Sequence, residues 1–218
     1  MSRKRLTRED SRDLTTQRLL DAAQKLIAKK GLSATSVEDI AEAAGYTRGA
    51  FYSNFSSKGD LFIELLRRDH LNTHAQLASL RSDEIPLDHI QERARVLYGQ
   101  LYYDNESFMN WTEARMLAAR DTKFRAKLHA LVAEKRGQVA DFIEYFYKRA
   151  GIEPPVPPTA LAMGFMSLVE GVKLSMLSVP ADMSADTAES VLRIFVDSIM
   201  QVARLRATGT DAAPKSPG

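Results

Sequence analysis

A chain of 218 residues, 44% of them hydrophobic, is long enough to bury a real core in one large domain or two modest ones. Cysteine is absent, which excludes a disulfide framework and a thiolate metal site and suits a reducing, cytoplasmic setting. The net charge of +2 is unevenly placed: residues 1–60 carry 11 Lys and Arg against 8 Asp and Glu, and the rest carry 19 against 20.

In chain order, residues 1–14 form a basic arm containing Arg3, Lys4, Arg5, Arg8 and Arg12. Such an arm suits a polyanion, or equally a solvated disordered tail. No apolar run follows it, so no secretory signal is expected. Leu19, Leu20, Ala23, Leu26 and Ile27 form an apolar stripe at helical spacing that stops at "KKG", 29–31. A second helix starts near "TSVED", where Thr35 with Glu38 or Ser36 with Asp39 can form a reciprocal cap. It stops at Gly45. A third runs from Thr47 to about Phe55, and a fourth from Lys58 toward Ser82. Further helices are expected from Pro86 to about Tyr103, 106–120, 121–149, Thr159 to about Val179, and 184–206. "GIEPPVPP", 151–158, is the clearest linker, and 208–218 reads as a disordered tail. The stretch from Pro154 to Val169 is uncharged but opens with four prolines in five residues and is closed by Glu170, so no membrane span is expected. The fold class is therefore all-α, with about nine helices.

Wound at about 100° per residue, residues 47–55 put Phe51 and Phe55 on one face and Arg48, Gly49, Tyr52 and Ser53 on the other. The phenylalanines can pack on the first two helices. Gly45 permits the positive φ of a tight turn. The result is a helix-turn-helix, about residues 36–55, whose second helix can enter a DNA major groove. Arg48 can pair with guanine or grip phosphate. Gly49 lets the backbone come close. Thr47, Tyr52 and Ser53 can donate to phosphates, and Lys58 opens a helix whose free N–H groups also favour an anion. An ordinary three-helix core with a solvated polar face explains the phenylalanines equally well.

"TSVEDIAEAAGYTRGAFYSNFSSKGDLF" resembles the N-terminal domain of the tetracycline-repressor (TetR/AcrR-type) family of bacterial regulators, over about residues 15–75. The resemblance implies a homodimer on palindromic double-stranded operator DNA, released by a small molecule bound in the C-terminal domain, here 76–207. By position it implies DNA contacts from Thr35 or Ser36, Thr47, Arg48, Gly49, Tyr52, Ser53, Asn54 and Lys58. It also implies a pocket, for which the large adaptable side chains of the later helices are the candidates: Tyr102, Phe108, Met109, Trp111, Met116, Phe142, Phe146, Met163 and Met166. Core packing explains each of these residues singly. No cofactor is implied.

Gly164 and Gly171 lie on a small-residue face of the helix from Thr159, and Leu192, Phe195 and Ile199 on an apolar stripe of the last helix. Together they can build a four-helix dimer interface, although a core within one chain explains the same pattern. His70 and His74 have metal-ligand spacing. No third ligand is apparent, and no metal is expected. Nothing assembles a nucleophile, a base and an orienting group, so an enzyme is not expected.

Overall fold

The computed structural model describes residues 7–82, 84–86, 89 and 104–207. Among them it holds eight helices and no strand: α1 (Arg8–Lys30), α2 (Val37–Ala43), α3 (Arg48–Asn54), α4 (Lys58–Ala78), α5 (Asn105–Arg120), α6 (Thr122–Ala150), α7 (Pro158–Ser178) and α8 (Ala185–Ala207). Apart from residues 86 and 89, the helix expected over 86–103 lies outside the described residues, as does the tail 208–218. Two compact units result, drawn from Met1–Thr73 with Tyr103–Val132 and from His74–Tyr102 with Ala133–Gly218. A single boundary near residue 75 therefore misses the return of α5 and the start of α6 to the first unit.

Residues 8–14 are helical, contrary to a disordered arm over 1–14. Thr7 accepts from the N–H of Asp10 at 3.1 Å, and Asp10 accepts from the N–H of Thr7 at 2.9 Å. This reciprocal cap starts the helix at Arg8, eleven residues before the apolar stripe that opens at Leu19. Its two hydrogen bonds from Thr7 hold the Asp10 carboxyl below the usual range.

The core of the first unit gathers Leu19, Leu20, Ala23 and Ile27 of α1, Ile40 of α2 and Phe51 of α3. To these it adds Leu61, Phe62, Leu65 and Leu66 of α4, Trp111 and Ala114 of α5, and Phe124, Leu128 and Leu131 of α6. Phe62 and Phe124 stack at 5.9 Å between centroids. Each large side chain buried here contributes about 1.5–3 kcal/mol by removal from water.

The second unit is built on α6, α7 and α8. Val139, Ala140 and Phe142 pack with Leu80 and Ala162. Tyr147 and Leu161 pack with Met200 and Ala203, and burial pushes the Tyr147 hydroxyl pKa up. Val172 packs with Ala188. Arg149 donates from Nη1 to the carbonyls of Ser82 and Ile85 at 3.0 and 2.7 Å, tying down the chain that leaves α4. The helix α7 starts at Pro158 with Pro157 as its cap, not at Thr159. Proline suits that first position because its fixed φ is already helical and its missing N–H would have no partner there. By length and apolar composition alone α7 could cross a membrane, but it carries Glu170 and a buried Lys173 and packs along α8.

Candidate nucleic-acid interface

The turn between α2 and α3 is set by local chemistry. Ser36 caps α2, accepting from the N–H of Asp39 at 3.0 Å while Asp39 accepts from the N–H of Ser36 at 2.9 Å. The cap is thus Ser36 with Asp39. Lys30 adds a 2.7 Å ion pair to the same carboxylate. The lysine and the Ser36 donors together lower the Asp39 pKa to about 2. Gly45, at φ 77°, reverses the chain. Thr47 then caps α3, accepting from the N–H of Ala50 at 3.3 Å.

The short helix that follows has two faces. Phe51 is 0% exposed and Phe55 7%, whereas Tyr52 is 48% exposed. The side chain of Arg48 is 64% exposed. Thr47, Gly49 and Ser53 are exposed with it. A Cβ at Gly49 would meet only Thr47 Oγ1, at 3.7 Å, so nothing inside the protein demands a glycine. Its effect is outward: it removes bulk from the exposed side of α3. The guanidinium of Arg48 pairs with Glu38 at 2.8 Å and lies 5.5 Å from the centroid of the Tyr52 ring. Glu38, the second residue of α2, enters the sequence reading only as a capping alternative. Its role across the turn has no local signature beyond its place near a helix start, facing the start of α3.

Three of the expected contact residues are engaged internally. Thr35 is buried and donates to the carbonyl of Gly31 at 2.8 Å. Of the pair Thr35 and Ser36, only Ser36 is exposed. Asn54 donates to the carbonyl of Ala50 at 2.8 Å and accepts from Thr16 Oγ1 at 3.1 Å, fastening the end of α3 to α1. Lys58 Nζ donates to the carbonyls of Leu32 and Thr35 at 2.6 and 2.7 Å. Partial burial lowers its pKa, with the Asp39 charge opposing. An ammonium has three N–H donors, so one of the three is left for an outside anion.

The residues expected to line a pocket are dispersed. Trp111 belongs to the core of the first unit and donates to Asp69 at 2.5 Å. Met109 and Met116 of α5 and Met163 of α7 are exposed, and Phe108 is half-buried. Phe142, Phe146 and Met166 do come together, in the core of the second unit. Tyr102 lies outside the described residues. His70 is buried on α4 and His74 half-buried, and no group of three metal-ligating side chains forms among the described residues.

The expected dimer residues divide as well. Leu192 packs beside Val172 and Ala188, Ile199 beside Tyr147 and Met200, and a Cβ at Gly164 would sit 3.8 Å from Phe195. These four residues join α7 to α8 within one chain. Gly171 is open to space.

A family model described as "Bacterial regulatory proteins, tetR family" matches residues 19–65, which enclose this turn and both its helices. Over this segment the chain matches the tetR family. Among the relatives it resembles, the HTH-type transcriptional regulator AcrR of Shigella flexneri is 46% identical over 61 residues, 28% of each chain. The chain spans less than half the length of the first curated relatives it matches, and those relatives are named transcriptional regulators, not enzymes. A TetR-family regulator from Rhodococcus sp. matches in structure with a TM-score of 0.73 at 23% identity, over 86% of this chain and 99% of that one. SmeT of Stenotrophomonas maltophilia, in complex with triclosan, matches with a TM-score of 0.63 at 22% identity, over 82% and 87%. Likenesses at such identity show the fold: the helical arrangement continues beyond residues 19–65 into the second unit.

Proposed function

We propose that this chain is a cytoplasmic, ligand-responsive transcriptional repressor that binds a palindromic operator as a homodimer and is released by a small, largely apolar effector. The observation that carries the reading is the division of α3, with Phe51 wholly buried and Arg48, Gly49, Tyr52 and Ser53 turned outward inside the segment that matches the family model. A helix anchored on one side and free, small and donor-rich on the other suits insertion into a major groove. Arg48 is the base reader. Thr47, Ser36, Tyr52, Ser53 and the third donor of Lys58 hold phosphates and fix the register.

The dimer reading rests on the apolar side chains that stay exposed on α7 and α8. Met163, Leu174 and Leu177 lie on the first and Ile194, Val202 and Leu205 on the second. Beside them Gly171 leaves room for close approach. Two such helices from each of two copies form a four-helix contact. For release, a ligand acts only through its preference for one arrangement over another. The N-terminal end of α4 holds the loop before α2 through Lys58, so a shift of α4 would carry that loop with it. Triclosan bound to SmeT supports an apolar effector, as do the adaptable Phe142, Phe146 and Met166.

Fluorescence anisotropy on the DNA upstream of the chain's own coding sequence tests the reading. Binding should weaken steeply with salt, and Arg48→Ala should cost about 1–3 kcal/mol on the operator and much less on a scrambled duplex. Equal binding of both proteins to both duplexes would remove α3 from the groove.

A further inference from the structure

Arg48 does not stand alone on the outward face. It is the first residue of α3, and Glu38 is the second of α2, so their 2.8 Å ion pair spans the turn. The Tyr52 ring lies 5.5 Å from the guanidinium carbon, one helical turn further on. The two charged side chains are 64% and 55% exposed. An ion pair so open to water adds little to the stability of a fold, so it has little to do with holding α2 against α3. That work is done by Ile40, Phe51 and Phe55.

The pair matters at a DNA surface for a different reason. An arginine free to move beside a duplex finds phosphates first, because they carry a charge about every 1.7 Å of helix axis. A phosphate contact conveys no sequence. A carboxylate fixed to the guanidinium cancels its long-range attraction for phosphate and is itself repelled by it. Base edges carry no net charge and oppose the carboxylate far less. The remaining donors of the guanidinium then face a base edge with their orientation already set by Glu38 and Tyr52.

We propose that Glu38 is a specificity-determining residue: it keeps Arg48 off the phosphates and, with it, reads one guanine–cytosine pair in the major groove. Arg48 donates to O6 and N7 of guanine, and Glu38 accepts from N4 of the paired cytosine, the natural complement of each side chain. The proposal rests on the reading of α3 as the DNA-reading helix.

The test is selection of duplexes from a randomised pool by the full chain and by Glu38→Gln, Arg48→Ala and the double variant. It is followed by affinities on the selected and scrambled duplexes over a salt series. The glutamine keeps shape and removes charge. For Glu38→Gln, preference for the guanine–cytosine pair should fall about tenfold, within the range of one good bidentate contact. Its binding to scrambled DNA should tighten, with the salt slope steeper by about one, as Arg48 goes to a phosphate. In the Arg48→Ala background the same change should alter the preference no further. Thermal unfolding of Glu38→Gln should match the wild type. A variant that selects as sharply as the wild type, or that loses affinity for all duplexes alike, overturns the role of Glu38 alone. A wild-type protein that selects no sequence overturns the DNA-reading function and this inference with it.

Discussion

The backbone N–H of Leu32 donates to the carboxylate of Glu113 at 3.0 Å, joining positions 81 apart in sequence. Leu32 is the buried residue just after the end of α1, and Glu113 sits on α5. The carboxylate also lies against Gly31, where a Cβ would meet its Oε1 at 3.4 Å, and Gly31 has φ 80°. The loop that leads to α2 is therefore held by an acidic side chain from above and by the Lys58 ammonium on its carbonyls. Glu113→Ala should leave the Leu32 N–H without its acceptor, a loss of about 1–3 kcal/mol, whereas Glu113→Gln should retain most of the stability. Denaturant unfolding with amide exchange at Leu32 measures both.

Lys58 should show two effects that separate on substitution. Lys58→Met removes the donors to the Leu32 and Thr35 carbonyls and should destabilise the fold by about 1–3 kcal/mol. It should also weaken all duplexes alike, with the salt slope reduced by about one. Arginine at the same place restores the charge, but its planar fork does not reproduce the compact ammonium, so slope should recover more than stability. A Lys58→Met protein with an unchanged slope would confine the residue to the loop.

Asp39 makes the acid limb of stability predictable in sign. Its pKa is depressed to about 2 from 3.8. A carboxylate whose folded value lies below its unfolded one stabilises the fold fully above the unfolded value and loses that contribution as pH falls through the folded one. The loss therefore runs from about pH 4 down to about pH 2. The carboxyl of Asp60 is lowered in the same direction by Lys127 and Ser57. Asp39→Asn should flatten the dependence in this window and leave the curve near neutrality parallel to the wild type. Urea midpoints taken at half-unit steps of pH record it.

What the sequence discloses about this molecule follows the range of each interaction. The two-faced α3, the glycine turn and the paired phenylalanines rest on spacing within a few residues, and they are legible. The cap at Ser36 is legible as one of two alternatives, because only coordinates tell which oxygen reaches which N–H. Thr16, which bonds to Asn54, lies 38 residues away, and Leu32 and Thr35, which Lys58 holds, lie 26 and 23 away, and no local pattern announces them. Residues 8–14 carry a readable cap at Thr7 and Asp10, but their charge draws the eye to a disordered arm instead. Trp111, Phe142 and Met163 show the opposite limit: a large side chain on a helix looks the same in sequence whether it packs a core or faces solvent. Glu38 joins Arg48 through the tertiary turn, so its meaning depends on the fold that the local signals predict.

The exposed apolar faces of α7 and α8 bear on assembly. Ile194 is 64% exposed, and Ser198, Val202 and Leu205 follow it along the same side of α8, away from Leu192, Phe195 and Ile199, which pack inside the chain. If two copies meet there, Ile194→Asp places a charge in a contact that excludes water, and such a charge is costly without a partner. Sedimentation should then show a dimer for the wild type at micromolar concentration and a monomer for Ile194→Asp with unchanged helical content. Gly171→Leu should also weaken association, since the position is open within the chain and a large side chain would hold two helices apart. Loss of the dimer should lower operator affinity far more than affinity for a single half-site, because two recognition helices held about 34–36 Å apart meet successive major grooves only when coupled. A monomeric Ile194→Asp protein that binds the full operator as tightly as the wild type would separate DNA reading from dimerisation and overturn the two-fold arrangement. A variant that remains dimeric would move the interface to another face of the chain.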